Sequence, residues 1–537
     1  MGRPRRASPV LELAATRAGA LALAVSHFMD GARAGSGLRQ GLLCQNGPAV
    51  RRMSWFGGAP RAAARSLRAV RLGNTRARDR GRRGTADAGP GGMQRTIRTC
   101  APLLVLSLAA ILGCETSTDS NRNPDTGGEE CSDSDSAICV IASDKQRISS
   151  PDVPPEDKTA LVSGNSAFAL DLYQELRQEP GNVFYSPYSI STALAMTWAG
   201  AKGGTETAMA DTLRFDLGQD RLHPAFNWID QELESRGQGA QGADGEGFRL
   251  NVVNALWGQN GYSFETPFLD TLGLHYGAGM RVVDFVGHRQ ESVDLINGWV
   301  SDQTEGKIEK LVPVDAITAE TVLVLTNAIY FNAAWRTPFE PTATADGAFE
   351  TVDGTEVTVP LMRGSLEMPY AEGDGYQAVA MPYDGDELSM VIILPAKGTL
   401  DAFEASLDAA KVDSIAGAMS EHLVDTTMPR FKFEYELSLK KTLEAMGMEI
   451  AFTPGVADFT GINSSGQPYI QDVIHKAFVG VNEAGTEAAA ATAVIVGDES
   501  APQPASLALV NPFLFLIRDN ATGSILFVGR VADPSAS

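Results

Sequence analysis

Cysteine is scarce in this 537-residue chain, and its distribution limits the chemistry. The five cysteines all lie within the first 139 residues: Cys44, Cys100, Cys114, Cys131 and Cys139. The following 398 residues contain none. A cysteine nucleophile, a thiolate metal site and a disulfide scaffold are therefore excluded there, although that part of the chain is long enough to bury a large core.

The common sequence signatures of hydrolases and nucleotide-binding enzymes are also missing. The chain has no H-E-x-x-H, no G-x-S-x-G and no Walker loop, and its six histidines lack metal-ligand spacing. One G-x-G-x-x-G string occurs at Gly237, Gly239 and Gly242, but no strand precedes it, which predicts a surface loop. We therefore expect no enzyme activity, no metal and no cofactor. The alternative is a hydrolase whose triad forms in space around His475.

Positive charge is scarce over most of the chain. The formal net charge is −22, but residues 1–92 hold 17 arginines, no lysine and four acidic residues, a charge of +13. The other 445 residues therefore carry −35, which repels phosphate and excludes nucleic acid as a partner. The arginine-rich residues 1–92 lack a sustained apolar period. We interpret them as upstream or disordered sequence before a start at Met93; a basic interaction tail is the alternative.

Residues 93–113 have the pattern of an export signal. Two arginines precede an apolar run of 13 residues, Ala101 to Gly113, which is too short to cross a bilayer as a helix. The run ends at Cys114, an order that resembles the bacterial lipoprotein signal, in which this cysteine is lipidated. We expect an exported, membrane-tethered lipoprotein, or a secreted extracellular protein if the signal is a plain secretory peptide.

Residues 114–157 have a different composition, rich in Ser, Asp, Thr, Asn and Pro. Their apolar content is too low to form a core, which predicts a flexible tether between a membrane and the folded body. Cys131 and Cys139 lie within this segment. Export favours a disulfide between them, and free thiols are the alternative.

The body, residues 158–537, alternates helical and strand patterns without a long gap, which predicts a single mixed α+β domain. Helical spacing occurs over residues 167–176, 192–209 and 437–446. Strand-like runs occur over residues 321–331, 388–394, 512–517 and 524–531. The last two flank a turn at residues 520–523, which indicates a hairpin.

One segment of the body has an unusual composition: residues 481–496 read VNEAGTEAAAATAVIV. Alanine favours helices, so an exposed helix or spacer is one interpretation. The β-branched residues 494–496 and the breaker-rich residues 497–504 argue instead for a mobile exposed loop. Tiny side chains also suit a strand that slips between two others in a packed sheet, where each bulky residue would cost about 1–3 kcal/mol by overpacking.

Five ordered stretches, between about Asn165 and Pro534, resemble the serpin family. They are NVFYSPYSIS (182–191), INGWVSDQTEGKIEKL (296–311), TNAIYFNAAWRTPF (326–339), the D-V-x-H-K-A and hinge sequences within 472–492, and the terminal strand sequences at 512–516 and 529–531. The first stretch departs from the family's F-S-P-x-S-I by an inserted Tyr185. The resemblance implies the serpin fold: helices around a large central mixed β-sheet A, with sheets B and C and an exposed reactive-centre loop.

The resemblance also implies a function, inhibition of serine-type endopeptidases by a suicide mechanism. A target protease cuts the exposed loop and is trapped as its acyl-enzyme when the freed loop inserts into sheet A, which releases the energy of a metastable native state. The implied partner is a serine protease, and the implied inhibitor is a monomer. The alternative is a serpin-fold binding protein that does not inhibit.

The family motifs assign roles to individual residues by their positions. The hinge, where insertion begins, comprises Glu483, Gly485, Thr486, Glu487, Ala488, Ala489, Ala490, Ala491 and Thr492. The shutter, a hydrogen-bonded cluster beneath the opening of the sheet, comprises Ser186, Ser189, Asn327 and His475. The breach, at the top of the sheet, comprises Trp335, Arg430 and Glu483. Arg430 stands where the family usually has lysine, and we expect an Arg430–Glu483 ion pair.

The reactive bond is predicted by counting residues from the hinge, which places it between Glu499 and Ser500. The Asp498–Glu499 bond is the alternative, and counting back from the terminal strands shifts the position towards Ala501. A carboxylate before the bond suits a glutamyl endopeptidase and is repelled by the acidic pocket of trypsin-like proteases. If Val496 or Ala501 holds that position, elastase-like or subtilisin-like proteases become the expected targets.

Overall fold

The computed structural model of the chain describes residues 139–487 and 503–536, which form two large sheets flanked by helices. The strands are β1 (Cys139–Ile141), β2 (Val183–Tyr185), β3 (Arg249–Gln259), β4 (Met280–Val283), β5 (Leu323–Ala334), β6 (Ala345–Glu350), β7 (Glu356–Gly373), β8 (Tyr376–Pro382), β9 (Leu388–Pro395), β10 (Ser420–Pro429), β11 (Phe431–Ser438), β12 (Val473–Val481), β13 (Gly485–Thr486), β14 (Gln503–Ala508), β15 (Phe513–Asp519) and β16 (Ile525–Val531). The α-helices within these residues are α1 (Pro155–Leu176), α2 (Pro187–Trp198), α3 (Gly203–Leu213), α4 (Gln219–Glu234), α5 (Thr266–Tyr276), α6 (Arg289–Gln303), α7 (Leu400–Ala405), α8 (Ala409–Gly417) and α9 (Lys440–Leu443).

The first sheet has seven strands in the order β1-β4-β3-β5-β13-β12-β11, and it is the predicted central mixed sheet A. Strand β5 runs antiparallel to β3 and parallel to β12. All twelve residues of β5 are buried. A strand buried on both faces has a continuous apolar run rather than an alternating one, which is why residues 321–331 were recognisable from sequence.

The second sheet has the order β14-β10-β7-β8-β9-β15-β16-β2, with β6 paired to β7. The expected sheets B and C are joined in it, because the 18-residue strand β7 pairs with β10 and β6 at one end and with β8 at the other. The hairpin predicted near residues 520–523 is confirmed: β15 and β16 pair antiparallel, with Leu514 opposite Arg530.

The predicted helix over residues 192–209 is two helices, α2 and α3. The chain breaks at Gly200, where a Cβ atom would lie 2.2 Å from a side-chain carbon of Ile462. Gly203 then opens α3 with φ +53°, a conformation that favours glycine. The break follows from packing against Ile462, which is distant in sequence, so the local helical spacing could not reveal it.

The predicted flexible tether ends earlier than residue 157. Strand β1 pairs antiparallel with β4 at the edge of sheet A, with Cys139 opposite Val282. Further along, the side chains of Ser143 and Lys145 both bind Asp270 of α5. Backbone pairing and ion pairs hold this segment, together with burial of Val153 in the core, and composition does not register the polar contacts. Residues 139–157 therefore belong to the folded body.

Two glycines, one in α5 and one just after it, leave room for residues 139–157 on the surface of the body. A Cβ atom at Gly279 would lie 2.8 Å from the Cβ of Ala142, and one at Gly273 would lie 3.2 Å from the carbonyl oxygen of Lys145. Larger residues there would displace the segment. Cys139 is disulfide-bonded, whereas Cys131 lies outside the described residues.

We expect Arg147→Ala to destabilise the body through loss of this packing. The Arg147 guanidinium donates to Asn227, to Asp230 at 2.5 Å and to Glu234 at 3.1 Å, and so joins the segment to α4. Loss of these charge-assisted hydrogen bonds, of which two are partly buried and the one to Glu234 is exposed, should cost about 1–3 kcal/mol, measured as a lower urea midpoint for loss of the native state. The control is Lys397→Ala, which removes an exposed pair with Glu350 and should change the midpoint little. Equal midpoints for the two variants would contradict an anchoring role for Arg147.

No helix within residues 139–487 and 503–536 has the length and apolar content needed to span a bilayer. The predicted signal peptide (93–113) and the lipidation site Cys114 lie outside the described residues.

Candidate functional site at the opening of sheet A

Two hinge residues, Gly485 and Thr486, form strand β13 inside sheet A. Gly485 and Thr486 pair with Ala334 and Ala333 of β5 on one side, and Thr486 pairs with Val481 of β12 on the other. The family resemblance predicts a reactive-centre loop that lies outside the sheet. The described part of the hinge is instead already seated between the two strands that insertion must separate.

Gly485 occupies a position that no side chain could share. A Cβ atom there would lie 2.1 Å from the Ala333 carbonyl oxygen and 2.8 Å from the Cβ of Ala243. Thr486 is 2% exposed, and its hydroxyl is 2.8 Å from the hydroxyl of Tyr383. The space between β5 and β12 at this point is therefore buried, narrow and suited to small residues.

The chain leaves the sheet at Glu487. Its φ of +62° is rare for a residue with a side chain, and its amide donates to the Gly480 carbonyl oxygen at 2.5 Å. Its carboxylate forms an ion pair with Lys307, in the segment that follows α6. Beyond this point, hinge residues 488–492 and the predicted reactive bond (Asp498, Glu499, Ser500) lie outside the described residues.

A cavity of about 600 Å³ lies next to the hinge. Asn332 of β5 lines one side, Phe478 and Gly480 of β12 line the other, and Lys307 and Glu487 also face it. Strands β5 and β12 are hydrogen-bonded neighbours only further down, from Leu325 to Ile329 and from Val473 to Ala477. The sheet is thus closed at the shutter and parted just ahead of the hinge.

The predicted shutter residues are brought together beneath this closed part. His475 Nε2 accepts a hydrogen bond from the Ser186 amide at 3.2 Å, and His475 Nδ1 contacts Asn327 Oδ1. Asn327 in turn donates to Ser189 Oγ at 2.6 Å. Ser186 caps α2, since its hydroxyl accepts from the Ser189 amide. The network ties β5, β12 and α2 together.

The hydrogen bonds of His475 fix its protonation state. Because Nε2 accepts from a backbone amide, it carries no proton, and Nδ1 is the nitrogen that donates to Asn327. Complete burial lowers the pKa of His475 to about 3, so the ring is neutral. Among the partners within residues 139–487 and 503–536, neither nitrogen contacts a serine hydroxyl or a carboxylate, and the ring has no exposed surface. The alternative of a hydrolase triad around His475 is therefore wrong.

The breach is built around Trp335, whose ring stacks on Tyr383 with centroids 4.7 Å apart. Its indole Nε1 donates to the Asn482 carbonyl oxygen at 3.0 Å, and its backbone amide donates to the Ala484 carbonyl oxygen at 2.8 Å. Trp335 therefore binds the chain just before the hinge and supports the tyrosine beneath Thr486.

The expected ion pair between Arg430 and Glu483 forms. Arg430 Nε lies 2.8 Å from Glu483 Oε1, and the Thr344 hydroxyl donates to the same oxygen. Burial works against the charged form of Glu483, but the hydrogen bonds from Arg430 and Thr344 hold the pKa of Glu483 below its usual value. Glu483 is thus fixed as a carboxylate at the start of the hinge.

Residues 163–534 match the family model described as serpin (serine protease inhibitor). The chain belongs to the serpin family. Serpins in general inhibit proteases and are not enzymes. The serpin body places the hinge, breach and shutter along one seam, between β5 and β12.

Relatives of this serpin come from distant organisms. An uncharacterised serpin-like protein of Thermococcus kodakarensis is 37% identical over 82% of this chain and 99% of its own length. Leukocyte elastase inhibitor A of Mus musculus is 36% identical over 70% of this chain and 99% of its own length. The crystal structure of the thermophilic serpin tengpin in its native state has a TM-score of 0.64 at 28% identity, over 73% of this chain and 97% of that one.

Four side chains of the site were missed by the sequence analysis. Asn254 of β3 accepts from both Ser189 and Asn327, which extends the shutter by one strand. Tyr383, Lys307 and Ala243 contact Thr486, Glu487 and Gly485 respectively. Each of these residues lies far in sequence from the residue that it contacts, and of the four only Lys307 stands in a recognised family stretch, residues 296–311.

Acid should destabilise this serpin because two buried histidines are neutral in the native state. Burial, and for His223 also the neighbouring His275, lowers the pKa of His223 and of His475 to about 3, against 6.5 when unfolded. Stability from keeping them neutral is complete above pH 6.5 and is lost as pH falls towards 3, because only the unfolded chain binds the protons. Between pH 7 and pH 5 each histidine should remove about 2 kcal/mol.

Urea midpoints measured at pH 7.5 and pH 5 test this dependence. His223→Leu should remove close to half of the acid sensitivity. The comparison variant is His288→Leu: the hydrogen bond with Asp284 raises the pKa of this exposed histidine, so its removal should not reduce the acid sensitivity and should increase it slightly. A midpoint that stays constant between the two pH values would contradict the prediction.

Proposed function

We propose that this chain is a serine-type endopeptidase inhibitor that acts by loop cleavage, acyl-enzyme trapping and loop insertion into sheet A. The observation that carries the proposal is the seated hinge. Gly485 and Thr486 already occupy the first positions of an inserted strand, and the sheet ahead of them is parted. The small residues 488–492 that follow are suited by size to a narrow gap.

The proposed reaction begins when the serine Oγ of the protease attacks the scissile carbonyl of the loop. The peptide C–N bond breaks, an ester forms between loop and protease, and the new amino terminus takes the proton. The freed loop then extends β13. Residues 486–499 would span about 46 Å as a strand, enough to carry the attached protease from one end of the sheet to the other. Distortion of the protease prevents water from hydrolysing the ester.

The proposed reactive bond is Glu499–Ser500, with Asp498–Glu499 as the alternative. A carboxylate before the bond favours a glutamyl endopeptidase as the target. Elastase-like proteases remain candidates, because relatives in Mus musculus and Xenopus are named leukocyte elastase inhibitors. Subtilisin-like proteases are candidates if Val496 or Ala501 precedes the bond.

A denaturing gel of the full chain mixed with glutamyl, trypsin-like, elastase-like and subtilisin-like proteases tests the proposal. A stable band at the summed mass is the expected result with at least one protease. The mass of the released C-terminal peptide then identifies the bond, because cleavage after Glu499 frees residues 500–537. Cleavage by all four classes without any covalent band would contradict inhibition and favour a serpin-fold binding protein.

Two variants test whether the reactive bond is Glu499–Ser500 or Asp498–Glu499. Glu499→Arg should create a covalent complex with a trypsin-like protease, because its acidic pocket now attracts the residue before the bond. Asp498→Arg is the matched control, with the same charge change one residue earlier, and should form no such complex. If only Asp498→Arg traps the trypsin-like protease, the reactive bond is Asp498–Glu499.

We also propose that the inhibitor is exported and tethered to a membrane through a lipid on Cys114, or secreted if the signal is a plain secretory peptide. The support is the apolar run 101–113 that ends at Cys114 and the polar composition that follows. Expression in a bacterial host, followed by membrane fractionation, tests it. The chain should leave the membrane fraction on Cys114→Ser, whereas equal partitioning of both forms would contradict the anchor.

A further inference from the structure

The loop of residues 237–248 joins α4 to β3 and contains the G-x-G-x-x-G string. The sequence predicted a surface loop, but Ala240 and Ala243 within it are buried. The Gln241 carbonyl oxygen accepts from the Ala334 amide at 3.0 Å, and the Ala243 amide donates to Asn332 Oδ1 at 2.7 Å. The loop is therefore fastened to the end of β5, the strand that holds the hinge.

Ala243 lies directly against the seated hinge. A Cβ atom at Gly485 would be 2.8 Å from the Cβ of Ala243, so the methyl group of Ala243 covers the glycine. Gly485 and Thr486 are held at their edges by β5 and β12, and Tyr383 contacts Thr486. Ala243 supplies a further contact that belongs to neither strand.

Charged side chains fasten the loop at the same place. Asp244 forms an ion pair with Arg249 of β3 and accepts from Asn332 Nδ2 at 3.4 Å. Arg249 also lies 3.1 Å from Glu305, in the turn that precedes Lys307. Since Lys307 pairs with Glu487, one patch of charges joins the loop, β3, the end of α6 and the hinge.

We propose that loop 237–248, here called the lid, keeps the hinge residues Gly485 and Thr486 in the sheet. Gly485 cannot leave its seat past Ala243 unless the lid lifts or yields. When Gly485 and Thr486 are already in the sheet, insertion can begin as soon as the reactive loop is cut, because the loop does not first have to find the gap between β5 and β12. This role rests on the proposed inhibition, because it predicts that loosening the lid delays insertion and gives water more time to hydrolyse the acyl-enzyme.

Two alanine-to-glycine variants test the lid. Ala243→Gly removes the methyl group that covers Gly485. The matched control is Ala240→Gly, the same change three residues earlier in the lid, where the methyl group faces Gly385 instead. Asp244→Ala, at a partly exposed position, is a second loosening variant.

Each variant is made in the full chain together with Thr486→Cys, whose buried thiol reports release of the hinge. The rate at which iodoacetamide modifies position 486 is followed by peptide mass spectrometry. Ala243→Gly should raise this rate about fourfold, the effect expected for loss of one buried methyl group. Asp244→Ala should raise it in the same direction, and Ala240→Gly should change it less than twofold. Equal rates in all variants, or equal increases for Ala240→Gly and Ala243→Gly, would overturn the lid.

A second readout separates the lid from the proposed inhibition. In variants without Thr486→Cys, the number of inhibitor molecules consumed per trapped protease should rise at least threefold for Ala243→Gly and stay constant for Ala240→Gly. If position 486 is exposed by Ala243→Gly but consumption per trapped protease is unchanged, the lid does not serve insertion. If no variant and no parent chain traps a protease, the inhibition proposal fails, while the labelling rates still decide whether the lid holds the hinge.

Discussion

Thr486→Arg should convert the inhibitor into a substrate. Thr486 is almost completely buried between β5 and β12, and its hydroxyl meets that of Tyr383. An arginine at this position would place an unpaired charge inside the sheet, at a cost of several kcal/mol. Insertion would therefore start too slowly to compete with hydrolysis of the acyl-enzyme. The covalent band should fall at least tenfold, while cleavage of the reactive loop continues at its normal rate.

Thr486→Ser is the control for this experiment, because it keeps the hydroxyl and the small size. It should retain nearly all of the covalent complex. Both variants are compared on denaturing gels against the same protease, with the released C-terminal peptide as a measure of cleavage. A Thr486→Arg chain that traps protease as well as the parent would show that this residue does not need to enter the sheet.

His475→Leu should make the native state short-lived. The change leaves the Ser186 amide and Asn327 Oδ1 without their partner inside the sheet. Each unsatisfied buried group costs about 1–3 kcal/mol, so a total of about 2–6 kcal/mol is expected for the two. Because these bonds lie where β5 and β12 are closed, their loss should open the sheet and allow the uncut loop to insert.

The measurement is the fraction of chain that still forms a covalent complex after incubation at 37 °C. It should decay at least tenfold faster for His475→Leu than for the parent. The control is His422→Leu, which changes a partly exposed histidine of β10 whose Nδ1 contacts only the Ser420 carbonyl oxygen among the described hydrogen bonds. Equal decay in both variants would contradict a role for His475 in keeping the sheet closed.

The parts of this site that could be predicted from the sequence are those carried by local motifs. Ser186, Ser189, Asn327 and His475 stand in recognisable stretches, and the structure brings all four into contact. Continuous apolar runs likewise predicted the buried central strands, because burial on both faces removes the polar alternation.

The contacts that could not be predicted join residues distant in sequence without a shared motif. Asn254 completes the shutter from β3, and Ala243 covers Gly485 from a loop whose glycines suggested only a turn. The segment that begins at Cys139 has the composition of a linker, yet it pairs with β4 and binds α4 through Arg147. In each case a contact between residues distant in sequence outweighs what local composition indicates.

The proposed inhibition requires insertion of the loop into sheet A, and thermal unfolding before and after cleavage tests that insertion. The full chain is cut in its reactive loop by a protease that it does not trap, and the unfolding midpoints of intact and cut chains are compared. Insertion of a new central strand should raise the midpoint of the cut chain by roughly 10 °C or more. An unchanged or lower midpoint after cleavage would contradict the central claim that cleavage releases the hinge to complete sheet A.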